Sequence, residues 1–467
     1  MKVPAVYVLD KSGAVAMSFS TMGNKGAICR SDLPEVPDGV VCIEESTNPL
    51  QAGLDWASAH KMRDVRLDAY TYTFDTIHPS YCGRVGFYIK SNIHLKGVMN
   101  GDIPATYITT KQNSWGAGNQ QRTPSSSSFE VLLLACGDPL NDDVPLDNTT
   151  IEAVMLNNKN CGEFGLWANG GTGLKLLRVH TMASRSGGLI VGIHDSDRRE
   201  DSTKKYTCAM HYVNNFEIAE CHVHSANGDG ICAMGMDGII RNNISENGSS
   251  WDNGITLFIG CERIRILDNV VRNYGTAIGL DGSYLSAKLL GMTLAESTVI
   301  CDAKAIELYQ NWIGYHRNIE IAGNKLINCS RGIVLWRSYG CNIHNNIIEG
   351  RRIGEGFSIE GSIANTIYNN KVRGAEVACR FVSTSFSAVD KNGNFIGSSD
   401  NLIGYDMSGN PVGNDFKSNP LGFQFLKPGS KEQIINNKFI NNDINGCSSS
   451  MPQVDYFNSN KIIDTKK

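Results

Sequence analysis

Two aspartates, Asp229 and Asp252, stand 23 positions apart, and each is followed by a turn-forming Gly or Asn residue. Two carboxyl groups held close together suit glycoside hydrolysis, because one donates a proton to the departing oxygen while the other attacks the sugar or activates a water molecule. Their mutual repulsion raises one pKa and keeps that acid protonated near neutral pH. Aspartate before glycine also caps tight turns. The catalytic interpretation therefore needs a fold that brings both acids together.

A repeated pattern in the sequence predicts such a fold. Apolar residues flank a polar pair whose second member is Asn, and intervals between these Asn residues include 26, 22, 24 and 23 positions. Short apolar runs follow the copies, and such runs predict strands. A turn of about 21–26 residues with two or three strands predicts an all-β parallel solenoid whose coils stack about 4.8 Å apart. The repeated positions are Asn243, Asn269, Asn324, Asn346, Asn370, Asn437 and Asn460, with His180 and His222 in the same slot of two earlier copies.

The solenoid would place Asp229 and Asp252 on neighbouring coils, one residue out of register, with their Cα atoms about 6 Å apart. This distance allows carboxyl separations that suit either retaining or inverting hydrolysis. A column of residues two positions before the inward apolar residue is predicted to face outward, and its span from Asp229 to Glu355 is about 19 Å, enough for several sugar units. The column consists of Gly187, Asp229, Asn253, Thr276, Arg331 and Glu355.

Histidines near the acid pair offer a further catalytic group. His224 lies five residues before Asp229 and is a candidate catalytic base. A metal site needs three or four converging ligands, and His180 stacked under His222 is better interpreted as a pair of corner imidazoles. The sequence therefore predicts no metal and no cofactor.

Aromatic and charged side chains near the predicted cleft are candidates for substrate binding. Aromatic rings stack on sugars, although they also pack at strand edges of a solenoid. Arginines form bidentate bonds with uronate or sulfate groups, although surface arginines are often merely hydrated. Asp281 lies about 16 Å further along its coil and is placed among the substrate contacts rather than in the acid pair. The predicted contacts are Trp251, Asn253, Phe258, Asp281, Arg331, Trp336, Arg337, Arg351, Arg352 and Glu355.

A predicted helix precedes the first coil. Asn48 suits the N-cap and Pro49 the first helical position, and Leu50, Leu54 and Ala57 follow on one side. Together with the repeat, this arrangement resembles the right-handed single-stranded parallel β-helix proteins of the pectin-lyase-like superfamily, in particular phage tailspikes and related polysaccharide depolymerases. The resemblance covers residues 46–465 and implies an all-β, right-handed parallel β-helix with an N-terminal capping helix. It also implies a polysaccharide partner and a homotrimer.

The surroundings of the acid pair resemble part of the polygalacturonase-family pattern. That family has Asn-Thr-Asp-Gly, followed by Asp-Asp one coil later, and this chain has Asn227-Gly228-Asp229-Gly230 followed by Asp252-Asn253. The resemblance implies that Asp229 is the general acid and that Asp252 helps to activate water. Asn273-Tyr274-Gly275 stands about where the family has Gly-His-Gly, and no Arg-Ile-Lys follows.

The predicted organisation has two parts. Residues 1–45 form an N-terminal segment, interpreted as an attachment region, and residues 46–467 form the β-helix. Departures from the regular period predict loop insertions near residues 102–149, 194–213, 281–317 and 384–430. Such insertions usually wall the binding face of a solenoid.

Composition and charge argue against other classes of protein. The 43 Lys and Arg residues are balanced by 47 Asp and Glu, for a net charge of −4, so a basic nucleic-acid-binding face is not expected. No apolar stretch approaches the length of about 18 residues that a membrane-spanning helix needs, so no membrane insertion is expected. The N-terminal apolar run ends at Asp10 without a convincing cleavage site, so no Sec signal is expected. The 14 cysteines are predicted to be mainly buried thiols.

Together these features predict a carbohydrate-active protein. The favoured function is a tailspike-like depolymerase that hydrolyses glycosidic bonds of a bacterial surface polysaccharide, with Asp229 and Asp252 as acid and base. Its predicted location is the virion tail, or the extracellular space without a Sec signal. A polysaccharide lyase or uronate epimerase on the same fold is one alternative, because the arginines could neutralise a uronate carboxylate. A non-catalytic glycan-binding adhesin is the other.

Overall fold

The computed structural model describes residues 5–20, 43–74, 77–80, 83–110, 129–141, 144–192, 212–258, 260–281, 316–382, 398–426, 434, 436–447 and 461–463. Apart from the helix Pro49–Ala59, the regular structure of these residues is β-strand. The chain divides into two compact units. The first comprises Met1–His194 and Met210–Asn227, and the second comprises Asp195–Ala209 and Gly228–Lys467.

The first unit is built mainly of short parallel strands. One sheet contains Val6–Leu9, Val15–Ser20, Ile43–Glu45, Asp64–Leu67, His94–Lys96, Thr150–Glu152, Lys175–Leu177 and Glu217–Ala219. Another contains Thr71–Phe74, His78–Ser80, Gly83–Ile89, Tyr107–Thr110, Phe129–Ala135, Met155–Asn157, Phe164–Ala168, His180–Met182, Gly187–Val191 and His222–His224. Very short strands occupy a third position at Leu146–Asp147, Gly171–Thr172 and Val213–Asn214, and Met99–Asn100 forms a hairpin with Ile103–Pro104.

In the second unit the strands of successive coils stack into three faces, which we number 1 to 3. Face 1 consists of Ile239–Arg241, Arg265–Leu267, Glu320–Ala322, Asn342–His344, Thr366–Tyr368, Leu402–Ile403, Lys438–Ile440 and Lys461–Ile463. Face 2 consists of Ile244–Glu246, Val270–Arg272, Lys325–Ile327 and the first parts of Ile347–Glu360 and Lys371–Val382. Face 3 consists of Asp229–Ala233, Asn253–Phe258, Thr276–Asp281, Arg331–Trp336, the last parts of those two long strands, and Leu421–Leu426. Short strands lie between faces 3 and 1 at Gly235–Met236, His316–Arg317 and Ser338–Tyr339.

The core of the second unit is formed by inward side chains that repeat once per coil. On face 1 the isoleucines of five successive coils pair in parallel register, and all are fully buried. Each three-residue strand buries its middle residue because successive side chains of a strand point to opposite sides. The stack consists of Ile240, Ile266, Ile321, Ile343 and Ile367. The predicted stacking of coils is thus confirmed.

A ladder of buried asparagines marks the corner before face 2. Each Asn donates its backbone N–H and its side-chain Nδ2–H to Oδ1 of the next Asn, at 2.9–3.0 Å. The preceding residue turns the corner in the left-handed region, as at Asn242 (φ 54°) and Asn345 (φ 58°), a conformation that Asn tolerates well. This is why the repeat carries two adjacent polar residues. The repeated positions that form the ladder are Asn243, Asn269, Asn324, Asn346 and Asn370, and Asn414 and Asn442 extend it.

The prediction that Asn437 repeats the position of Asn243 and Asn370 is wrong. Asn437 accepts the backbone N–H and Nδ2–H of Asn401, which in turn accepts those of Asn365. These three residues precede face 1 strands, so they form a second ladder at another corner. Both corners use the same Asn-bearing pattern, and the pattern alone does not reveal which corner it occupies. Asn460 lies outside the described residues.

The predicted helix caps the first unit. The Asn48 side chain accepts the N–H of Gln51 at 3.2 Å, and Pro49 occupies the first helical turn. The predicted apolar side of the helix is buried. It lies against the N-terminal strand so closely that a Cβ on Gly53 would come within 2.5 Å of Val6 Cγ1. The all-β parallel β-helix with an N-terminal capping helix is therefore confirmed.

The described part of segment 1–45 does not form an element separate from the β-helix. Val6–Leu9 pairs antiparallel with both Val15–Ser20 and Asp64–Leu67, and Ile43–Glu45 pairs with Val15–Ser20. Strand Val6–Leu9 is buried because its apolar residues need cover that the helix and the first coil provide. The described part of the segment thus extends a sheet of the β-helix. A role in attachment stays a prediction.

The predicted insertions include strands as well as loops. Within 102–149, Tyr107–Thr110 and Phe129–Ala135 pair in parallel with Thr71–Phe74 and Gly83–Ile89, so this stretch supplies part of a coil. Within 384–430, Leu402–Ile403 and Leu421–Leu426 likewise join the sheets. The stretches 194–213 and 281–317 lie largely outside the described residues.

Two compositional predictions also bear on the described residues. Their cysteines are free thiols, eight of them buried and Cys447 partly so, as predicted. No helix in the described part of the chain is long and apolar enough to cross a membrane.

Candidate active site

Two glycines show which side of the face 3 strands points outward, because a Cβ added to either would point into the core. A Cβ added to Gly254 would lie 2.1 Å from Cγ1 of the buried Val271, and one added to Gly356 would lie 2.6 Å from Cγ1 of the buried Val372. The corner between faces 2 and 3 is therefore too narrow for a larger side chain. Because successive strand residues alternate sides, the residue before each glycine faces outward.

The predicted outward column is in register. Asp229 and Asn253 each stand two positions before Ile231 and Ile255, which pair directly. Asn253, Thr276, Arg331 and Glu355 then pair one to one on successive coils, and the sixth predicted member, Gly187, lies in the first unit. The outward side of face 3 in the second unit therefore carries a continuous row of side chains, the strip, which begins at Asp229. Asp229 and Thr276 of this strip are nearly or fully buried, at 9% and 1% exposed, whereas Arg331 is exposed.

Asp229 is nearly buried, with 9% of its surface exposed. Its Oδ1 accepts three hydrogen bonds, from the backbone N–H of Asn253 at 2.9 Å, from Asn253 Nδ2 at 3.2 Å and from Thr256 Oγ at 3.1 Å. All the hydrogen bonds that described residues give to this carboxyl end on Oδ1. A proton on Asp229 would consequently sit on Oδ2, because Oδ1 already faces three donors.

Burial raises the pKa of Asp229 from 3.8 to about 7. Removal from water is the main cause, since it disfavours the charged form, and the negative charges of Asp252 and Asp281 act in the same direction. The hydrogen bonds from Asn253 and Thr256 oppose the rise but do not cancel it. Near neutral pH this carboxyl is thus divided between its acid and its base form, as a general acid requires.

Asp252 lies beside Asp229 and differs from it in exposure. The peptide nitrogen that joins Asp252 to Asn253 is the atom that donates to Asp229 Oδ1, so the two acids are held together through the backbone. Asp252 is partly exposed, and its carbonyl accepts the N–H of Thr276 on the next coil. The pair therefore consists of one nearly buried and one partly exposed carboxyl group.

The other predicted contacts close to this pair are held in different ways. Asn253 is committed to Asp229, and its Oδ1 would lie 3.0 Å from a Cβ on Gly279. Phe258 is only 5% exposed, so its ring is packed rather than open to a sugar face. Asp281 pairs in register with Phe258 and acts electrostatically on Asp229. Trp251, by contrast, is 90% exposed.

Further along the strip, charged side chains gather around Arg331. Glu355 pairs in register with Arg331 and forms an ion pair with Arg380. Glu360 accepts a hydrogen bond from Ser358 Oγ at 2.9 Å, and burial raises the pKa of its carboxyl. Arg331 is exposed, and no carboxylate among the described residues lies within ion-pair distance of it. This end of the strip therefore offers one accessible guanidinium.

The remaining predicted residues are spread more widely. Trp336 pairs in register with Asp281 and is partly exposed on the same outer strip. Arg337 is 3% exposed and turns the chain with φ 51°, so its side chain is packed and not presented to a ligand. Arg351 is exposed and donates its backbone N–H to Asn328 Oδ1. The side chain of Arg352 lies outside the described part of the structure.

His224 lies in the first unit and is described there. It stands on strand His222–His224, its Nδ1 is 2.8 Å from Ser225 Oγ, and its ring meets that of His222 edge-on at 6.2 Å. His222 and His180 pair in register and meet edge-on at 5.4 Å, so the predicted stacking is observed. Both are the first residues of their strands, whereas Asn243 and Asn269 immediately precede theirs, so the prediction that the histidines occupy the Asn slot is wrong. Burial and the neighbouring His222 lower the pKa of His180 to about 4. Within the described residues, no group of three or more His, Cys, Asp or Glu side chains is arranged to hold a metal ion.

Sequence reasoning missed three polar residues of the strip, namely Thr256, Glu360 and Arg380. All three lie an odd number of positions after an inward residue of face 3, where the alternation of a strand turns side chains outward. Counting from Ile255, Phe357 and Cys379 would have found them. Phe258, Asp281 and Trp336, which the sequence analysis includes, occupy on other coils the position that Glu360 occupies on its own.

Comparisons with known proteins define the fold class. Residues 271–466 match the family described as periplasmic copper-binding protein (NosD). Among solved structures, the A-module of the Azotobacter vinelandii mannuronan C-5 epimerase AlgE6 is similar over 90% of this chain and 94% of that chain, with 14% identity and a TM-score of 0.55. No protein of curated function matches the sequence. The chain thus has the parallel β-helix fold.

Two further solved structures match at lower similarity. One is a double mutant of the tailspike protein of E. coli bacteriophage HK620 in complex with pentasaccharide. The match covers 91% of this chain and 65% of that chain, with 11% identity and a TM-score of 0.47. The other is polygalacturonase from Erwinia carotovora ssp. carotovora. The match covers 90% of this chain and 92% of that chain, with 9% identity and a TM-score of 0.42.

Proposed function

We propose that this protein is a polysaccharide-processing enzyme that hydrolyses glycosidic bonds, with Asp229 as the general acid. The observation that carries the proposal is the buried Asp229 carboxyl, whose pKa is raised to about 7, beside the partly exposed Asp252. Glycoside hydrolysis needs this combination, because the departing oxygen must receive a proton while a second carboxylate stays ionised. A polymer chain would lie along the strip of face 3, between the acid pair and the exposed Arg331.

Each residue of the pair has a distinct role in the proposed reaction. Asp229 gives the proton on Oδ2 to the glycosidic oxygen as the bond to the anomeric carbon breaks. The three hydrogen bonds at Oδ1 hold the carboxyl in place and stabilise the carboxylate that remains. Asp252 either removes a proton from the attacking water or attacks the anomeric carbon itself. The anomeric configuration of the first product, followed by NMR, distinguishes these two courses.

The proposal extends to the biological setting that the sequence resemblance implies. The substrate is a bacterial capsule or O-antigen polysaccharide, and the protein acts as a tailspike-like homotrimer on a virion or in the extracellular space. Sedimentation of the purified protein tests the trimer. The substrate is tested by incubating the protein with a panel of such polysaccharides and measuring new reducing ends and chain length.

Matched variants test the acid pair. Asp229→Asn and Asp252→Asn should each lower cleavage by about 10²–10⁴-fold, because general acid–base groups contribute factors of this size. Asp268→Asn is the control, since Asp268 is an exposed corner residue with φ 55°, a conformation that Asn also adopts. Full cleavage by both pair variants would overturn the assignment. Binding of a glycan by the wild type without any shortening of its chain would favour an adhesin.

A second candidate function is β-elimination or epimerisation of a uronate, which the accessible Arg331 on the same strip favours. Both reactions remove the proton at C5 and need a cation near the uronate carboxylate. A lyase product carries a conjugated double bond with strong ultraviolet absorbance, and an epimerase introduces deuterium at C5 in heavy water without shortening the chain. Either result with the wild-type protein would replace hydrolysis as the function.

A further inference from the structure

Trp251 is unusual among the large apolar side chains of the described residues because it is 90% exposed. The next most exposed are Leu140 at 69% and Met407 at 64%. Tryptophan is normally well buried, since its ring offers a large apolar area to the core. A ring left almost wholly in water makes little contribution to folding, so its presence calls for another partner.

The backbone that carries Trp251 is firmly held. The Trp251 N–H donates to Ser249 Oγ at 3.0 Å, and the Ser249 carbonyl accepts the N–H of Gly275 on the next coil, also at 3.0 Å. The segment also lies directly on its neighbours, since a Cβ on Gly248 would come within 1.8 Å of the buried Tyr274 ring. The indole is therefore presented from a fixed backbone, and a ligand that meets it would lose little additional loop freedom.

Trp251 also stands at the edge of the acid pair. It directly precedes Asp252, and the N–H of Asn253, two positions further on, holds Asp229. A polymer chain that reaches the two acids would thus pass next to the indole. The apolar C–H face of a pyranose ring is the part of such a chain that complements the electron-rich face of an aromatic ring.

We propose that Trp251 is a specificity-determining residue that stacks on a pyranose ring next to the bond being cleaved. The inference rests on the proposed function and refines it. It favours sugars whose axial C–H bonds gather on one face of the ring, because only such a face lies flat on an indole. Trp251 takes no part in proton transfer, so it should govern substrate binding and leave the chemical step unchanged.

The test measures binding separately from cleavage. In the Asp229→Asn background, which leaves the polymer intact, a polysaccharide that the protein binds is titrated and the affinity is compared with and without Trp251→Ala. The expected loss is about tenfold, and Trp251→Phe should retain affinity within about threefold because it keeps an aromatic face. In the active protein, Trp251→Ala should raise KM and leave kcat unchanged. Thermal unfolding should not move, since the side chain is exposed.

Each outcome decides the inference. Unchanged glycan affinity in Trp251→Ala would overturn it, while the role of Asp229 would stand or fall with the cleavage assay alone. Reduced glycan affinity in a protein that cleaves nothing would support the stacking role and overturn the hydrolase assignment. Unchanged glycan affinity together with an altered sedimentation coefficient would identify the indole as a contact between copies of the chain and would refute the inference. A wild type that binds no glycan would refute both.

Discussion

Replacement of Asp229 by asparagine should change the way in which stability depends on pH. The pKa of Asp229 is raised in the folded protein, so between pH 3.8 and about 7 the folded state holds a proton that the unfolded chain has released. Folding stability therefore falls as the pH rises through this window, and the loss is complete above pH 7. Asparagine has no such proton, so the variant should not show this loss.

The magnitude follows from the two pKa values of Asp229. At about 1.4 kcal/mol per pH unit between 3.8 and about 7, ionisation of this carboxyl lowers the free energy of unfolding by ~4 kcal/mol. At about pH 4 the variant should match the wild type, because an amide oxygen accepts the same three hydrogen bonds as Oδ1. At about pH 9 the variant should be more stable by ~4 kcal/mol.

Urea unfolding of both proteins across this pH range provides the measurement, with the difference in free energy plotted against pH. Groups common to both proteins cancel in this difference. The control is Asp237→Asn, at an exposed carboxyl whose pKa is lowered by its hydrogen bonds to Arg263, so the control variant should instead lose stability relative to the wild type as the pH rises. A difference for Asp229→Asn that does not vary with pH would refute the buried, neutral acid.

Two further predictions concern the coil architecture. Asn324→Ala should lower the free energy of unfolding by ~3 kcal/mol, because it leaves the buried N–H of Asn269 without an acceptor, whereas the exposed neighbouring Lys325→Ala should change it by less than about 0.5 kcal/mol. Equal effects in urea unfolding would contradict the ladder's contribution. Gly254→Ala should cost ~1–3 kcal/mol, because its Cβ would meet Val271 at 2.1 Å, whereas Gly354→Ala meets nothing closer than 3.4 Å and should be tolerated. Wild-type unfolding midpoints for both variants would show that the corner is wider than described.

The sequence was sufficient to predict the coil and its internal order. The equivalent Asn of each coil could be aligned without coordinates, because every coil carries the same residue type at the same corner. These residues are Asn243, Asn269, Asn324, Asn346 and Asn370. A polar corner needs hydrogen bonds for its buried amides, and the same residue one coil away supplies them. The helix could also be predicted from the sequence, since its cap and apolar stripe are local features.

The corner that each Asn occupies and the pairing of the N-terminal strand were harder to predict from the sequence. Asn437 lies at a different corner from Asn243 although both carry the same pattern, and only strand pairing distinguishes the two corners. The N-terminal strand Val6–Leu9 was separated from the β-helix because it pairs antiparallel and lacks the repeat. Long-range pairing of this kind leaves no periodic trace in the chain.

The sequence by itself determined the period of the coils, the inward apolar stacks and the positions of Asp229 and Asp252 on neighbouring turns. It could do so because these properties follow from residue type and spacing, which repeat with the backbone. Only the tertiary structure decided that Asp229 is buried, that Glu355 is engaged by Arg380 and that Trp251 stands in water. The physical reason is that exposure, and with it the pKa of an acid, depends on what surrounds a side chain in space, and those neighbours come from other coils.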